Sequence, residues 1–268
     1  MSEMPVKEDV LNRVALAQYI LPGAIGAEIE IHDALASTND RAKELALAGA
    51  PHGTVVLAKR QSAGRGRFGR VFHSPDGSGV YFSCILRPEI PADRAVMLTC
   101  MAAVAVAQAM EALSDVDAKI KWVNDVYLGS QKACGILCEA GLNFESGKMD
   151  YVVMGIGVNV GFMEFPEELR EIATSLSNHC GHAVSRTRFI AELVNRLNAL
   201  YPLLETGGFM AEYSRRSNVI GRQVEVHRGG EHYPATAIAI SDEGNLIVRR
   251  PDGSEESLHS GEISLKFR

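Results

Sequence analysis

The chain has 268 residues and 29.0 kDa, 46% of them apolar and 22% charged, with a formal charge of −6. That length permits one large domain, or a main domain with a small appendage. The acidic balance excludes a general nucleic-acid footprint, which would spread a basic face over a whole domain.

The five cysteines contain no CxxC pair, so spacing suggests neither a disulfide framework nor a zinc site. No apolar run is expected to reach the ~20 residues of a membrane span. The N-terminus, with Glu3, Glu8 and Asp9, lacks the basic-then-apolar pattern of a signal peptide. The expected compartment is the cytoplasm.

In chain order, residues 28–32 alternate like a strand, and Ser37-Thr38-Asn39 opens a helix to about Ala48 with Ser37 or Thr38 as N-cap. A buried strand over 54–58 runs into a Gly/Arg stretch. After a turn at Ser74–Gly79 a strand resumes over 80–86. Residues 93–113 are apolar at helical spacing and predict a core helix. Short strands at 119–122 and 126–128, a turn at Gly129-Ser130 and strands over 133–142 and 151–160 follow. Cys134 and Cys138 sit four apart on one strand, share a face, and read as small buried apolar groups. Helices are expected at 186–205 and 208–216. From residue 220, five β-prone pieces separated by Gly, Asp-Glu-Gly and Pro-Asp-Gly turns predict a small all-β barrel.

The stretch Lys59–Arg70 holds five cations and three glycines in twelve residues. Glycines between arginines allow φ > 0 and close backbone approach to a ligand, and arginine suits bidentate phosphate or carboxylate binding. The expected ligand is a small anion, a phosphate above all. The cations lack partners nearby in the sequence, so the loop is expected to be mobile when empty and ordered when occupied. Two other phosphate motifs fail. Gly141–Lys148 has the wrong glycine spacing for a Walker A loop and Met149 where a Ser/Thr is needed, and Gly155-Ile156-Gly157 lacks its third glycine because position 160 is Val. An Asn124-Asp125 turn ends a strand after the sole Trp, and Lys132 heads an apolar strand seven residues on. A lone Lys there is ordinarily an edge residue reaching for water. Beside a Gly/Arg loop it becomes a candidate active-site cation.

Taken in order, GRGRFGR, KWVNDV, KACGIL, GIGVNV and the terminal GEISLK, with Ser37-Thr38-Asn39 and Gln61 upstream, resemble the biotin protein ligases from about residue 30 to the C-terminus. The resemblance implies an α+β fold akin to the class II aminoacyl-tRNA synthetases. A mixed sheet with helices mainly on one face would span residues 1–217, and an SH3-like barrel residues 220–268. It implies ATP-dependent activation of biotin as biotinyl-5′-adenylate and transfer to a lysine of a biotin carboxyl carrier protein, with magnesium.

By the same resemblance Ser37, Thr38, Asn39 and Gln61 line the biotin site, with Arg65, Gly66, Arg67, Lys132 and Gly135. Arg65, Arg67 and Lys132 carry the catalysis. Arg67, Arg70, Phe72, Asn124, Asp125, Lys132, Asn159 and Lys266 meet ATP or the adenylate. No resident metal is implied. Val123 replaces the usual Pro and loosens its turn, and Lys266 replaces an Arg, losing bidentate geometry. The ~27 residues before the match are too short for the winged helix-turn-helix of relatives that repress transcription, so no DNA binding is expected; a homodimer is. A lipoate ligase and a non-catalytic adenylate sensor are the competing readings. Polar partners for a ureido ring disfavour the first, and retention of Lys132 with Arg65, Arg67 and Asp125 disfavours the second.

Overall fold

Alternation along the central strands decides which side of the large sheet each helix covers. The computed structural model describes residues 9–142, 149–228, 230–259 and 262–265. In chain order these form α1 (Arg13–Ala17), β1 (Ile29–Leu35), α2 (Thr38–Leu47), β2 (Val55–Gln61), β3 (Gly79–Leu86), α3 (Val96–Leu113), β4 (Ala118–Lys121), β5 (Asp125–Leu128), β6 (Gln131–Leu142) and β7 (Met149–Asn159). After them come α4 (Leu176–Cys180), α5 (Arg186–Leu200), α6 (Met210–Arg216), β8 (Gln223–Arg228), β9 (Glu231–Ile240), β10 (Leu246–Arg249), β11 (Glu255–Leu258) and β12 (Glu262–Leu265).

The first seven strands make one sheet in the order β1-β2-β3-β7-β6-β5-β4, mixed because β1 and β2 run parallel while the other neighbours are antiparallel. On β2, Val55 and Leu57 enter the main core, whereas Val56 turns to Ala42 and Ala46 of α2. On β3, Phe82, Cys84 and Leu86 face the main core and Ile85 faces α2, the period-two split expected of a strand with both faces covered. Helices α3, α5 and α6 pack on the main-core face, as predicted, and α2 stands on the other.

One expectation needs correcting. The 22 residues Ala92–Leu113, with mean hydropathy 1.8, are long and apolar enough to cross a membrane by length and composition. The helix is apolar nearly all round because α5, α6 and the sheet enclose it, with Leu98, Cys100 and Val104 fully buried. Elsewhere boundaries shift for local reasons. The helix predicted over 186–205 stops at Leu200, where Pro202 sits in a separate 3-10 turn.

The second sheet is antiparallel, in the order β11-β10-β9-β8-β12, the SH3-like unit expected near the C-terminus. Its inward residues Val224, Val226, Ala237, Leu246 and Val248 join the same apolar cluster as the large sheet. The β9–β10 turn lies against α3: a Cβ on Gly244 would stand 3.0 Å from Cys100 Sγ. Trp122 Nε1 donates to Gly244 O at 2.9 Å, and Tyr213 Oη to Val123 O at 2.9 Å. The Trp122–Val123 peptide is cis.

Candidate active site

The α2 face of the sheet carries a pocket whose floor is backbone. Gly135 on β6 pairs in register with Gly157 on β7, and Leu137 with Gly155. Alternate glycines on one strand leave one face bare, and here it faces the pocket. Phe72 lies across this floor: a Cβ at Gly157 would meet its Cε1 at 2.7 Å, and one at Gly135 its Cε2 at 3.5 Å. Ser37, Thr38, Asn39, Gln61, Arg65, Tyr81 and Leu137 complete the walls.

One end of the pocket is neutral and polar. Ser37 occupies the N-cap position of α2 in an extended conformation but makes no capping hydrogen bond with its side chain. The orphan N–H of Thr38 donates instead to Gln61 Oε1 at 2.8 Å, as does its hydroxyl at 3.1 Å, and Gln61 Nε2 donates to Ser74 Oγ at 3.1 Å. Ser83, fully buried on β3, has its Oγ 2.8 Å from Thr38 Oγ1 and donates to Asn39 Oδ1 at 2.6 Å. Asn39 Nδ2 donates to Leu137 O at 3.3 Å and to Glu139 Oε2 at 2.8 Å.

The other end gathers arginine and lysine side chains. The Gly/Arg stretch folds as a tight hairpin, with Arg65 bridged to Val71 and Gly66 N donating to Arg70 O at 2.7 Å. Of its three glycines only Gly69 takes a positive φ, +74°, after Phe68 at +56°. Gly64 is needed for space: a Cβ there would stand 2.5 Å from Ser74 Oγ and 2.6 Å from Phe72 O.

The loop's cations are expected to lack partners nearby in the sequence, and the acids that face Arg65 and Lys59 are indeed remote in the chain, brought to them only by the fold. Arg65 Nη2 lies 2.6 Å from Asp40 Oδ1 and 3.0 Å from Glu139 Oε2, Lys59 Nζ lies 2.7 Å from Asp33 Oδ1, and Lys132 Nζ lies 2.7 Å from Asp125 Oδ1. Arg67 Nη1 donates to Asn124 Oδ1 at 3.1 Å, and Asn124 Nδ2 donates to Ile136 O at 3.0 Å. The structure therefore brings Arg67, Asn124, Asp125 and Lys132 into one chain of contacts.

Arg70 is exposed and does not line the pocket. Asn159 is buried beyond its edge, donating Nδ2 to Thr174 O at 3.0 Å, while the 172–174 segment pairs with the Lys132 backbone. Lys266 lies outside the described residues. Sequence reading missed Ser83, Glu139 and Tyr81, polar groups alternating with apolar ones on β3 and β6. It also met Gly155 and Gly157 only as a failed nucleotide fingerprint. Cys134 and Cys138 pack as small apolar groups, burial pushing the first thiol well up and the second up to about 11. Among the described residues no three His, Cys, Asp or Glu side chains form a metal-binding group.

A floor of paired glycines, an amide-and-hydroxyl end and an end of ion-paired arginine and lysine suit an acid-activating ligase. Residues 32–159 match the model of the biotin/lipoate A/B protein ligase family, and residues 219–266 that of the biotin protein ligase C terminal domain. The chain is 37% identical over 246 residues to the bifunctional ligase/repressor BirA of Bacillus subtilis, covering 90% of this chain and 75% of that one. It is 31% identical to the biotin–[acetyl-CoA-carboxylase] ligase of Mycobacterium tuberculosis, over 86% of each chain. Among solved structures, the biotin protein ligase of Aquifex aeolicus in complex with biotin and ATP superposes with a TM-score of 0.77 at 28% identity, covering 90% of this chain and 99% of that one. The chain belongs to the biotin protein ligases.

Proposed function

We propose that the glycine-floored pocket holds biotin, with the ureido ring at the Ser37, Thr38, Asn39 and Gln61 end and the carboxylate toward Arg65, Arg67 and Lys132. The reaction is the ATP-dependent ligation of biotin. A carboxylate oxygen of biotin attacks the α-phosphorus of ATP, the bond to the bridging α–β oxygen breaks, and pyrophosphate departs. The amine of a lysine on the carrier domain of a biotin-dependent carboxylase then attacks the acyl carbon. AMP leaves with the electron pair, and the amine proton goes to solvent.

The observation that carries this reading is the division of the pocket, amides and hydroxyls at one end and, at the other, arginine and lysine side chains already oriented by Asp40, Glu139, Asn124 and Asp125. Two anions must meet in the first step, and each cation ~4 Å from an anion is worth roughly 4 kcal/mol at an effective dielectric of 20. Lys132 and Arg67 supply that charge between the reacting groups, with Asn124 and Asp125 holding them in place. Gly66 and Gly135 give close backbone approach, and Phe72 covers the adenylate against water. Arg70 takes the pyrophosphate, and Asn159 and Lys266 serve the nucleotide. Magnesium arrives with ATP as part of the substrate. Asp125 beside Lys132 suits an ion that keeps waters and binds mainly through phosphate oxygens.

The same reading includes a cytoplasmic enzyme that acts without nucleic acid and pairs as a homodimer. The position of β1 at the sheet edge supports pairing, since among the described residues one side of its backbone has no neighbour strand. The deciding experiment is incubation with ATP, magnesium, biotin and a carrier domain, followed by intact mass. The expected result is one biotinyl group added per carrier, and no mass shift would overturn the assignment.

A further inference from the structure

We propose that Glu139 is a positioning residue for biotin, one carboxylate oxygen that ties the ureido end of the pocket to its cationic end. This rests on the assignment of the pocket to biotin and adds a residue to it. Glu139 lies on β6, on the same face as Gly135 and Leu137.

At the ureido end Glu139 fixes the polarity of an amide. Asn39 is 5% exposed, and its two Nδ2 protons go to Glu139 Oε2 at 2.8 Å and Leu137 O at 3.3 Å. The Ser83 hydroxyl donates to Oδ1 at 2.6 Å. With both protons of the amide taken by acceptors, the group cannot flip without losing partners on both sides. Its oxygen therefore stands over the floor, 2.1 Å from where a Cβ on Gly155 would lie. An oxygen there still has a lone pair to accept from an N–H, which is what a cyclic urea offers at its edge.

At the cationic end the same Oε2 takes Arg65 Nη2 at 3.0 Å, and Asp40, next to Asn39 on α2, takes it at 2.6 Å. Two acids around one guanidinium hold Arg65 against the pocket wall and offset the repulsion of the neighbouring Arg67. Both ends of biotin thus meet groups oriented by one carboxylate. Neutralising or shortening it loosens both at once, and the loss falls on biotin rather than on ATP.

The test is calorimetric titration of biotin alone into the wild-type protein, Glu139→Gln and Glu139→Asp. Glutamine keeps the size but replaces an acceptor oxygen with a donor, and aspartate keeps the charge but falls a methylene short. Biotin Kd is expected to rise about tenfold or more in each folded variant. In steady-state assays the biotin KM is expected to rise in step, with the ATP KM within about twofold of wild type. Unchanged biotin affinity in either folded variant overturns the proposal, and so does a parallel rise of both KM values, which marks a merely structural role. A wild-type protein that takes up no biotin overturns the pocket assignment itself, a result distinguishable from the first.

Discussion

Lys132 Nζ stands 2.7 Å from Asp125 Oδ1, the acid at the start of the neighbouring strand β5. The pair orients the ammonium before any substrate is present. Meanwhile the Lys132 backbone, through its N–H to Ile172 O and its O from Thr174 N, does the structural pairing.

That separation gives the first prediction. Lys132→Ala keeps the backbone pairing and loses only the cation, so it should fold normally and form adenylate poorly. The expected loss in kcat/KM is ~2–4 kcal/mol, comparable to removing an oxyanion-hole donor. Pyrophosphate release measures it, and a near wild-type rate would remove Lys132 from the mechanism.

The floor glycines should respond unequally to one added methyl. At Gly155 a Cβ would lie 2.1 Å from Asn39 Oδ1, whereas at Gly135 the nearest atom is the flexible end of Lys132 at 3.3 Å. Gly155→Ala is therefore expected to weaken biotin binding by an order of magnitude or more, because it displaces the amide proposed to meet the ligand. Gly135→Ala should bind biotin several-fold better than Gly155→Ala. Equal Kd values for the two variants would contradict the geometry.

Trp122 is 4% exposed and donates its indole N–H to Gly244 O. Trp122→Phe removes the donor, leaves that carbonyl without its partner and opens a small void, at a combined cost of about 2 kcal/mol. A thermal-unfolding midpoint unchanged from wild type would show that the contact contributes nothing.

Asp9 supplies the pH-dependent prediction. Burial pushes its carboxyl upward, but hydrogen bonds from the Ser185 hydroxyl, the Arg186 and Thr187 N–H groups and the Arg186 guanidinium outweigh it, so the value falls below the ordinary 3.8. A depressed folded-state value means that the stabilisation is present above the unfolded pKa and is lost as pH falls through the lowered one. Asp9→Asn should cost roughly 1 kcal/mol near neutral pH, as expected for an acid at a helix N-terminus. The gap in unfolding free energy should close in strong acid, and a gap constant down to about pH 2 would refute the linkage.

The sequence was most legible where periodicity and motif coincide. The apolar runs over 54–58, 80–86 and 151–160 and the helical spacing over 93–113 point to elements close to those observed. Ser37–Asn39, Gln61, Arg65, Phe72 and Gly135 do meet in one pocket. What stayed hidden depends on strand order. Glu139 and Asp40 are 74 and 25 residues from Arg65 in the chain, and only the placement of β6 and α2 brings them to it. Gln61 was read as a ligand group, yet its oxygen already takes both Thr38 donors, a use no local pattern announces. Gly155 and Gly157 fail as a phosphate fingerprint because they serve close approach instead, of Asn39 to the first and Phe72 to the second.

A binding surface made of glycine backbone has a consequence for redesign. On the proposed assignment of the pocket to biotin, wall residues can be trimmed to admit larger analogues, but nothing smaller than hydrogen can replace the side chains of Gly135, Gly155 and Gly157. Every change at those three positions narrows the slot, so mutational exploration there runs in one direction. Room for a bulkier analogue must come from Leu137, Tyr81 or Phe72, which line the same pocket and carry side chains that can be shortened.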